Sequence, residues 1–184
     1  MGNIIKYTMN EVEKGDLKRC LDILTVNEVA KAKEFHSSFA QYKETPLAKL
    51  DNIAKNIGLG GVYVKDESYR FGLNAFKVLG GSFAMAKYLA LKLGEDISEL
   101  GFDRLISDEV KAKLGDVTFY TATDGNHGRG VAWTANRLKQ KSVVYMPFGS
   151  SKIRLENIRK EGAEASITDM NYDDAVRLAA KNAK

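Results

Sequence analysis

The sequence is poor in the residues that build disulfides and metal clusters. It has one cysteine, Cys20, and two histidines, His36 and His127, among 184 residues. A single cysteine cannot form an internal disulfide, and so few ligands cannot assemble a zinc cluster. We therefore expect no disulfide framework and no metal site, and we expect His36 to lie exposed on a helix.

Long apolar runs are also missing. The first residues lack the hydrophobic stretch of a signal peptide, and no run approaches the ~18 residues of a membrane helix. Basic residues number 28 and acidic residues 24, and no basic run is interleaved with aromatic residues. These patterns favour neither a nucleic-acid partner nor a membrane partner. The default expectation is a cytoplasmic protein.

What remains is the composition of an ordinary globular protein, with 44% hydrophobic and 28% charged residues. Beyond Val117, strand patterns alternate with helix patterns. The predicted strands are 117–121, 142–146 and 165–167, and the predicted helices are 128–139, 151–160 and 172 onward. This alternation is typical of right-handed β-α-β units. We expect an α/β protein whose parallel sheet is flanked by helices.

The earlier part of the chain predicts three helices and one strand. The helices span 25–39, 51–57 and about 75–93, and the strand spans 61–65. Thr25 and Glu28 have the spacing of a capping box. The adjacent pair Gly80 and Gly81 costs the long helix roughly 1–2 kcal/mol relative to alanine, so we expect a reason for bare backbone there. The last helix ends without a stop signal, and the alternation predicts a further strand. We expect the sequence to be part of a longer protein.

Lys77 is the first residue that suggests chemistry. It begins the long helix, directly after Phe76, and the glycine pair follows three residues later. A helical lysine is usually a solvated surface residue. Here, however, the apolar neighbours and the positive end of the helix dipole both disfavour the ammonium form. A lysine that attacks a carbonyl must be neutral, so Lys77 is a candidate nucleophile.

A second segment, residues 121–130, joins a strand end to a helix start. Its glycines let the backbone approach a ligand, and a helix N-terminus can bind an anion. Ligands of open α/β sheets bind at the carboxyl ends of strands. The alternative is a tight turn capped by Thr123 or Asp124.

The two segments together resemble the fold-type II pyridoxal-phosphate enzymes. They read N-A-F-K-V-L-G-G (74–81) and T-D-G-N-H-G-R-G-V-A (123–132). That family includes serine and threonine dehydratases, threonine synthase and the tryptophan synthase β subunit. The resemblance runs from about Ala30 to the last residue, and its motifs are specific only in combination. It implies two α/β domains, with residues 1–83 in the large domain and 84–184 forming most of the small domain.

Asp124 departs from the dehydratases, which usually have serine or threonine there. This departure, with the segments V-K-D-E-S, Y-M-P-F-G-S and T-D-M-N-Y-D-D, is similar to the family's ammonia-lyases of 2,3-diaminopropionate. The resemblance implies α,β-elimination of that small amino acid to pyruvate and ammonia. It also implies a homodimer at full length.

The resemblance also assigns roles to the site residues. Lys77 would carry pyridoxal 5'-phosphate and act as a base, Phe76 would flank the cofactor, and Asn126 would bond its ring hydroxyl. Thr123, Gly125 and His127 would join Asn126 in holding the substrate. Asp124 would take the Cα proton from one enantiomer.

Three alternatives stay open. One is a serine or threonine dehydratase on the same scaffold. Another is a non-catalytic fragment or pseudoenzyme that pairs with a second chain. The third is a nucleotide-binding domain, although residues 125–130 do not match the G-x-G-x-x-G fingerprint. The phosphate-binding loop and the partner of the pyridine nitrogen are expected outside this sequence. We therefore expect the 184 residues alone to bind cofactor weakly and turn over poorly.

Overall fold

A computed structural model describes residues 24–184, so Cys20 lies outside the described residues. This part of the chain contains one parallel and one antiparallel sheet among its helices. The helices are α1 (Val26–Ser37), α2 (Asp51–Ile57), α3 (Lys77–Leu93), α4 (Phe102–Leu105), α5 (Asp108–Leu114), α6 (Asn126–Arg137), α7 (Lys152–Lys160) and α8 (Tyr172–Asn182). The strands are β1 (Leu47–Lys49), β2 (Tyr63–Lys65), β3 (Thr118–Ala122), β4 (Lys141–Met146) and β5 (Glu164–Ile167).

The parallel sheet has the order β3-β4-β5, and both of its pairings are parallel. This confirms the α/β prediction. Burial alternates along β4, whose buried residues Val144 and Met146 pack in a cluster with Leu155 and Ile158 of α7. Helix α8 contributes Ala175 and Ala179 to a second cluster with Ala122 of β3. The carboxyl end of β3 is therefore held by packing before the chain turns into α6.

The antiparallel sheet joins β1 to β2, with Leu47 opposite Lys65. The strand predicted at 61–65 is confirmed, although it begins at Tyr63. Its partner β1 was not predicted, because three residues carry little periodicity. Helix α2 has the predicted bounds and ends at Gly58, whose φ of 72° is in the left-handed region that glycine tolerates.

Helix α3 runs through the largest core cluster, which it shares with residues of α1 and α6. Aromatic rings join the segment just after α1 to α4 and α6. The ring of Phe39 lies 4.1 Å from that of Phe102 and 5.8 Å from that of Trp133, measured between centroids. Helices α4 and α5 were not predicted, since the sequence between Gly94 and Val117 has no extended periodicity. The domain division after Phe83 stays a prediction; Phe83 lies within α3.

The N-cap of α1 confirms half of the predicted capping box. The Thr25 hydroxyl accepts the Glu28 N–H at 3.2 Å. The Glu28 carboxylate instead pairs with Lys31 and Lys87. Between residues 24 and 184, no helix has the length and apolarity needed to cross a membrane.

His36 corrects the expectation of an exposed side chain, because only 8% of its surface is accessible. Its Nε2 lies 3.0 Å from the carbonyl oxygen of Leu79, and a carbonyl can only accept, so we assign the proton to Nε2. The same nitrogen lies 3.0 Å from Oγ of the buried Ser82. His36 therefore fastens α1 to the first turns of α3. Burial lowers the pKa of His36, and the charge of Arg70 lowers it further.

This buried histidine should make stability depend on pH. Its pKa is below the ordinary 6.5 in the folded state, so the unfolded chain takes up a proton first as pH falls. The free energy of unfolding should fall below about pH 6.5, by at most about 1.4 kcal/mol per pH unit, until the folded pKa is reached. Denaturant titrations from about pH 7.5 to 5 measure this loss. A His36→Gln variant should reduce this loss, leaving the part that comes from His127, whose pKa is also lowered. An unchanged slope would contradict the assignment.

Candidate active site

The turn between β3 and α6 is built around the side chain of Thr123. That side chain is 2% exposed, and its Oγ1 accepts the N–H groups of Gly125 at 3.0 Å and Gly128 at 3.1 Å. A threonine at the end of β3 thus acts as the cap of the turn. Because its hydroxyl oxygen is buried and occupied, we propose that Thr123 shapes the turn rather than touching a substrate through its hydroxyl.

Two glycines in this turn are required by close packing. A Cβ atom on Gly128 would lie 2.2 Å from Cγ2 of Thr123 and 2.8 Å from Cγ1 of Val144. A Cβ atom on Gly130 would lie 3.0 Å from Cα of Val78. The first glycine lets α6 start tightly over the sheet, and the second lets α3 lie directly against α6.

Lys77 is the first residue of α3, and it is exposed. The desolvation expected from its apolar neighbours is therefore not found. Successive residues of a helix point about 100° apart, so Val78 is 1% exposed in the core while Lys77 projects outward. The neighbours in sequence do not surround the amine. Position at a helix N-terminus is the part of the prediction that the structure bears out.

The contact between Gly130 and Val78 brings Lys77 next to the turn. The electrostatics of His127 report this proximity: desolvation lowers the pKa of His127, and the charge of Lys77 lowers it further. His127 also borders a groove of about 340 Å³ between the end of β3 and α8, lined by Tyr120, Thr121 and Tyr172 among others. The two predicted segments thus meet at the carboxyl end of β3.

The loop before Lys77 is braced by a buried ion pair. Arg70 is 6% exposed; its Nε donates to Glu67 at 2.8 Å, and its Nη2 donates to the other carboxylate oxygen at 3.0 Å. Arg70 also donates to the carbonyl of Lys43 at 3.1 Å. Arg70 first, and Thr45 in addition, lower the pKa of Glu67 to about 2. The paired charges hold this loop to the segment before β1.

Arg129 of α6 braces the same loop from the other side. Its Nε donates to the Glu161 carboxylate at 2.8 Å, and its Nη1 donates to the carbonyl of Leu73 at 3.3 Å. The charge of Arg129 is therefore paired within the protein, with Glu161, rather than left for a ligand.

The remaining predicted site residues keep their polar groups available. The Asp124 side chain is 71% exposed, and Phe76 is 60% exposed beside Lys77. Asn126 and His127 open α6, where the first N–H groups have no intrahelical acceptor. An amine, a carboxylate, an amide and free N–H donors therefore belong to two adjoining helix starts. That set can bind a carbonyl cofactor and an anion, and can move protons.

Sequence reasoning missed Arg154. Its Nη1 donates to the carbonyl of Asp124 at 3.1 Å, and no contact across 30 residues is visible in a sequence pattern. One signal was present: α7 has no acidic residue in its first turn, where Lys152 and Arg154 lie instead. Cations are disfavoured at that end of a helix, so a cation there points to a specific partner.

Comparison with known proteins defines the class. Residues 39–184 match the family model described as pyridoxal-phosphate dependent enzyme. The chain therefore belongs to the pyridoxal-phosphate-dependent enzymes.

Individual relatives within this family differ in how similar they are to the chain. The chain is 53% identical over 185 residues to the diaminopropionate ammonia-lyase of Salmonella typhimurium, an alignment that covers 100% of this chain and 46% of that protein. The crystal structure of the Escherichia coli diaminopropionate ammonia lyase in apo form is 48% identical, with a TM-score of 0.81 over 88% of this chain and 43% of that one. The Salmonella threonine dehydratase is 30% identical over 131 residues, 71% of this chain and 21% of that protein. The chain thus spans less than half the length of the relatives it matches.

The surroundings of Lys77 fit a flat aldehyde cofactor. Gly80 lies three residues after Lys77 and therefore on the same side of α3. A Cβ atom there would meet nothing within 4 Å, and one on Gly81 would reach only Val131, at 3.8 Å. No packing contact among residues 24–184 demands this pair. The bare backbone at Gly80 leaves open space on the side of α3 that carries the amine.

Two glycine substitutions should separate packing from open space. Gly128→Ala should lower the free energy of unfolding by about 2–3 kcal/mol, since its Cβ would overlap Thr123 and Val144. Gly80→Ala, made as the matched control, should raise it by up to about 1 kcal/mol, because alanine favours the helix and the site is open. Denaturant unfolding of both variants measures the difference. Equal effects would show that the turn is not packed as described.

Proposed function

We propose that this protein is a pyridoxal-phosphate-dependent ammonia-lyase that converts 2,3-diaminopropionate to pyruvate and ammonia. The observation that carries the proposal is the meeting of Lys77 with the turn at residues 123–128, with Asp124 as the distinguishing residue. The identity of 53% to a diaminopropionate ammonia-lyase supports it.

Pyridoxal phosphate, when bound, supplies the electron sink for breaking the bond between Cα and its hydrogen. The amine of Lys77 would hold the cofactor, and the same amine would be placed to move a proton at Cα of the substrate. Phe76 would flank the cofactor, and the Asn126 amide would hydrogen-bond it. The N–H groups of Asn126 and His127 hold the substrate carboxylate, next to Gly125, whose own N–H is donated to Thr123.

Asp124 fits a diamino substrate better than a hydroxy amino acid. A carboxylate near the substrate's own carboxylate is repelled by roughly 1 kcal/mol in water at ~4 Å, and by more in a dry site. An ammonium at Cβ offsets that repulsion, and diaminopropionate carries one there as its leaving group. Asp124 then serves as the base for the Cα proton of the D enantiomer, while Lys77 serves the L enantiomer.

A dehydratase of serine or threonine is the competing proposal, supported by the weaker identity of 30% to a threonine dehydratase. Asp124 argues against it, for the charge reason above. A non-catalytic fragment that pairs with a second chain would keep this fold and show no turnover. The small amino-acid substrate, the homodimer and the cytoplasmic location belong to the proposal for the whole protein.

Lys77→Ala should abolish the visible absorbance of lysine-bound cofactor, because no other amine would take its place beside Gly80. Titration with pyridoxal phosphate, followed by borohydride reduction and peptide mass spectrometry, measures the attachment site in protein expressed from the complete gene. Lys92→Ala, in the last turn of the same helix, is the control and should bind as the parent does. Retention of the band in Lys77→Ala would identify another lysine as the attachment site.

Asp124→Asn should lower turnover of D-diaminopropionate far more than turnover of L-diaminopropionate, by about a hundredfold or more, the usual contribution of a general base. Pyruvate formation from each enantiomer measures the ratio. A parallel assay with serine tests the dehydratase alternative. Equal losses with both enantiomers would remove the base assignment and leave the lyase proposal to rest on Lys77.

A further inference from the structure

Arg154 reaches from α7 across to the turn that carries Asp124. Its guanidinium donates to the Asp124 carbonyl at 3.1 Å, and the same Nη1 lies 3.8 Å from the Asp124 carboxylate. One side chain therefore contacts both the backbone and the acid of a single residue. The hydrogen bond ties the backbone of the turn to α7, and the nearby guanidinium charge favours carboxylate positions on its side.

Arg154 packs closely against the backbone of Gly125. A Cβ atom on Gly125 would lie 3.2 Å from Cδ and 3.5 Å from Nε of Arg154. The arginine side chain thus lies flat over the bare backbone of the turn. A larger residue in place of Gly125 would push it away.

The charges around Arg154 single out Asp124 as its partner. The small cleft beside it, about 40 Å³ in volume, is lined by Gly125, Asn126, Arg129, Arg154, Asn157 and Ile158. None of these is acidic, and the charge of Arg129 is already met by Glu161 at 2.7 Å. A cation in the first turn of α7 opposes the helix dipole. Asp124 supplies the compensating charge.

We propose that Arg154 is a positioning residue that sets the orientation of Asp124 and thereby the preference between the two enantiomers of the substrate. The inference rests on the proposed function, in which Asp124 serves the D enantiomer. Arg154 does not touch the reacting atoms; it acts through the acid and its turn. Its effect should therefore appear in kcat for the D enantiomer and be small for the L enantiomer, which depends on Lys77.

The test compares Arg154→Gln, Arg154→Lys, Asp124→Asn and the double variant Arg154→Gln/Asp124→Asn, in protein expressed from the complete gene. Arg154→Gln should lower kcat for D-diaminopropionate about fivefold, the size expected of one partly exposed charged contact. KM and turnover of the L enantiomer should change less than about twofold. Arg154→Lys should recover part of the loss, because it restores the charge without the guanidinium geometry.

A double-mutant cycle decides whether Arg154 works through Asp124. In the Asp124→Asn background, Arg154→Gln should cause no further loss of residual D turnover. Arg177→Gln is the matched control, since Arg177 forms an exposed pair with Asp174 within α8, and it should leave both enantiomers unaffected. Two results would overturn the inference and make Arg154 merely structural. One is an equal loss of turnover with the D and L enantiomers; the other is a loss from Arg154→Gln that is as large in the Asp124→Asn background as in the parent.

A measurement without cofactor keeps the inference testable independently of turnover. Backbone hydrogen exchange at Gly125 and Gly128 should be about fivefold faster in Arg154→Gln, while exchange in α8 is unchanged. Unchanged exchange in the turn would overturn the proposal. Suppose that Asp124→Asn lowers the turnover of both enantiomers equally while hydrogen exchange in the turn is still faster in Arg154→Gln. The assignment of Asp124 as the base is then wrong, and the role of Arg154 in the turn stands. If the turn does not loosen, the failure lies in the role of Arg154.

Discussion

Helix α3 approaches α6 so closely that the space for one Cβ atom at Gly130 is taken by the backbone of Val78. Helices normally pack with their axes 8–10 Å apart, and glycine at the contact is what permits the nearest approach. The two helix starts therefore meet without intervening side chains. Lys77 is carried by one start and the 123–128 turn by the other, so the candidate site exists only because this contact is tight.

Several polar contacts hold the two helix starts in place; those of His36 and Arg129 are partly buried, and that of Arg154 is exposed. Arg129 bonds the loop before α3, His36 bonds the carbonyl of Leu79, and Arg154 spans the turn before α6. Such contacts contribute little net stability individually, but leaving their buried partners unpaired is costly. Their common effect is to preorganise polar groups that stay accessible, which is what a site for a small charged substrate requires.

Much of the architecture followed from local pattern. The alternation beyond Val117 predicted the parallel sheet, and the bounds of α2, α7 and β4 were within one residue of those found. Short elements escaped prediction, namely β1, α4 and α5, because a few residues do not establish a period. The candidate site residues were named through the family resemblance of residues 74–81 and 123–132, and their roles stay predictions. Arg154 was not among them, since its partner Asp124 is distant in the chain.

The amino-acid sequence alone determined the alternation of strands and helices beyond Val117, the position of Lys77 at a helix start and the glycines between β3 and α6. These properties depend on periodicity and on backbone freedom, which are local. Tertiary structure decided that Lys77 is exposed although its neighbour Val78 is buried, that Thr123 turns its hydroxyl inward, and that His36 is enclosed. Burial depends on which surface packs against which, and that is settled only when segments far apart in the chain come into contact.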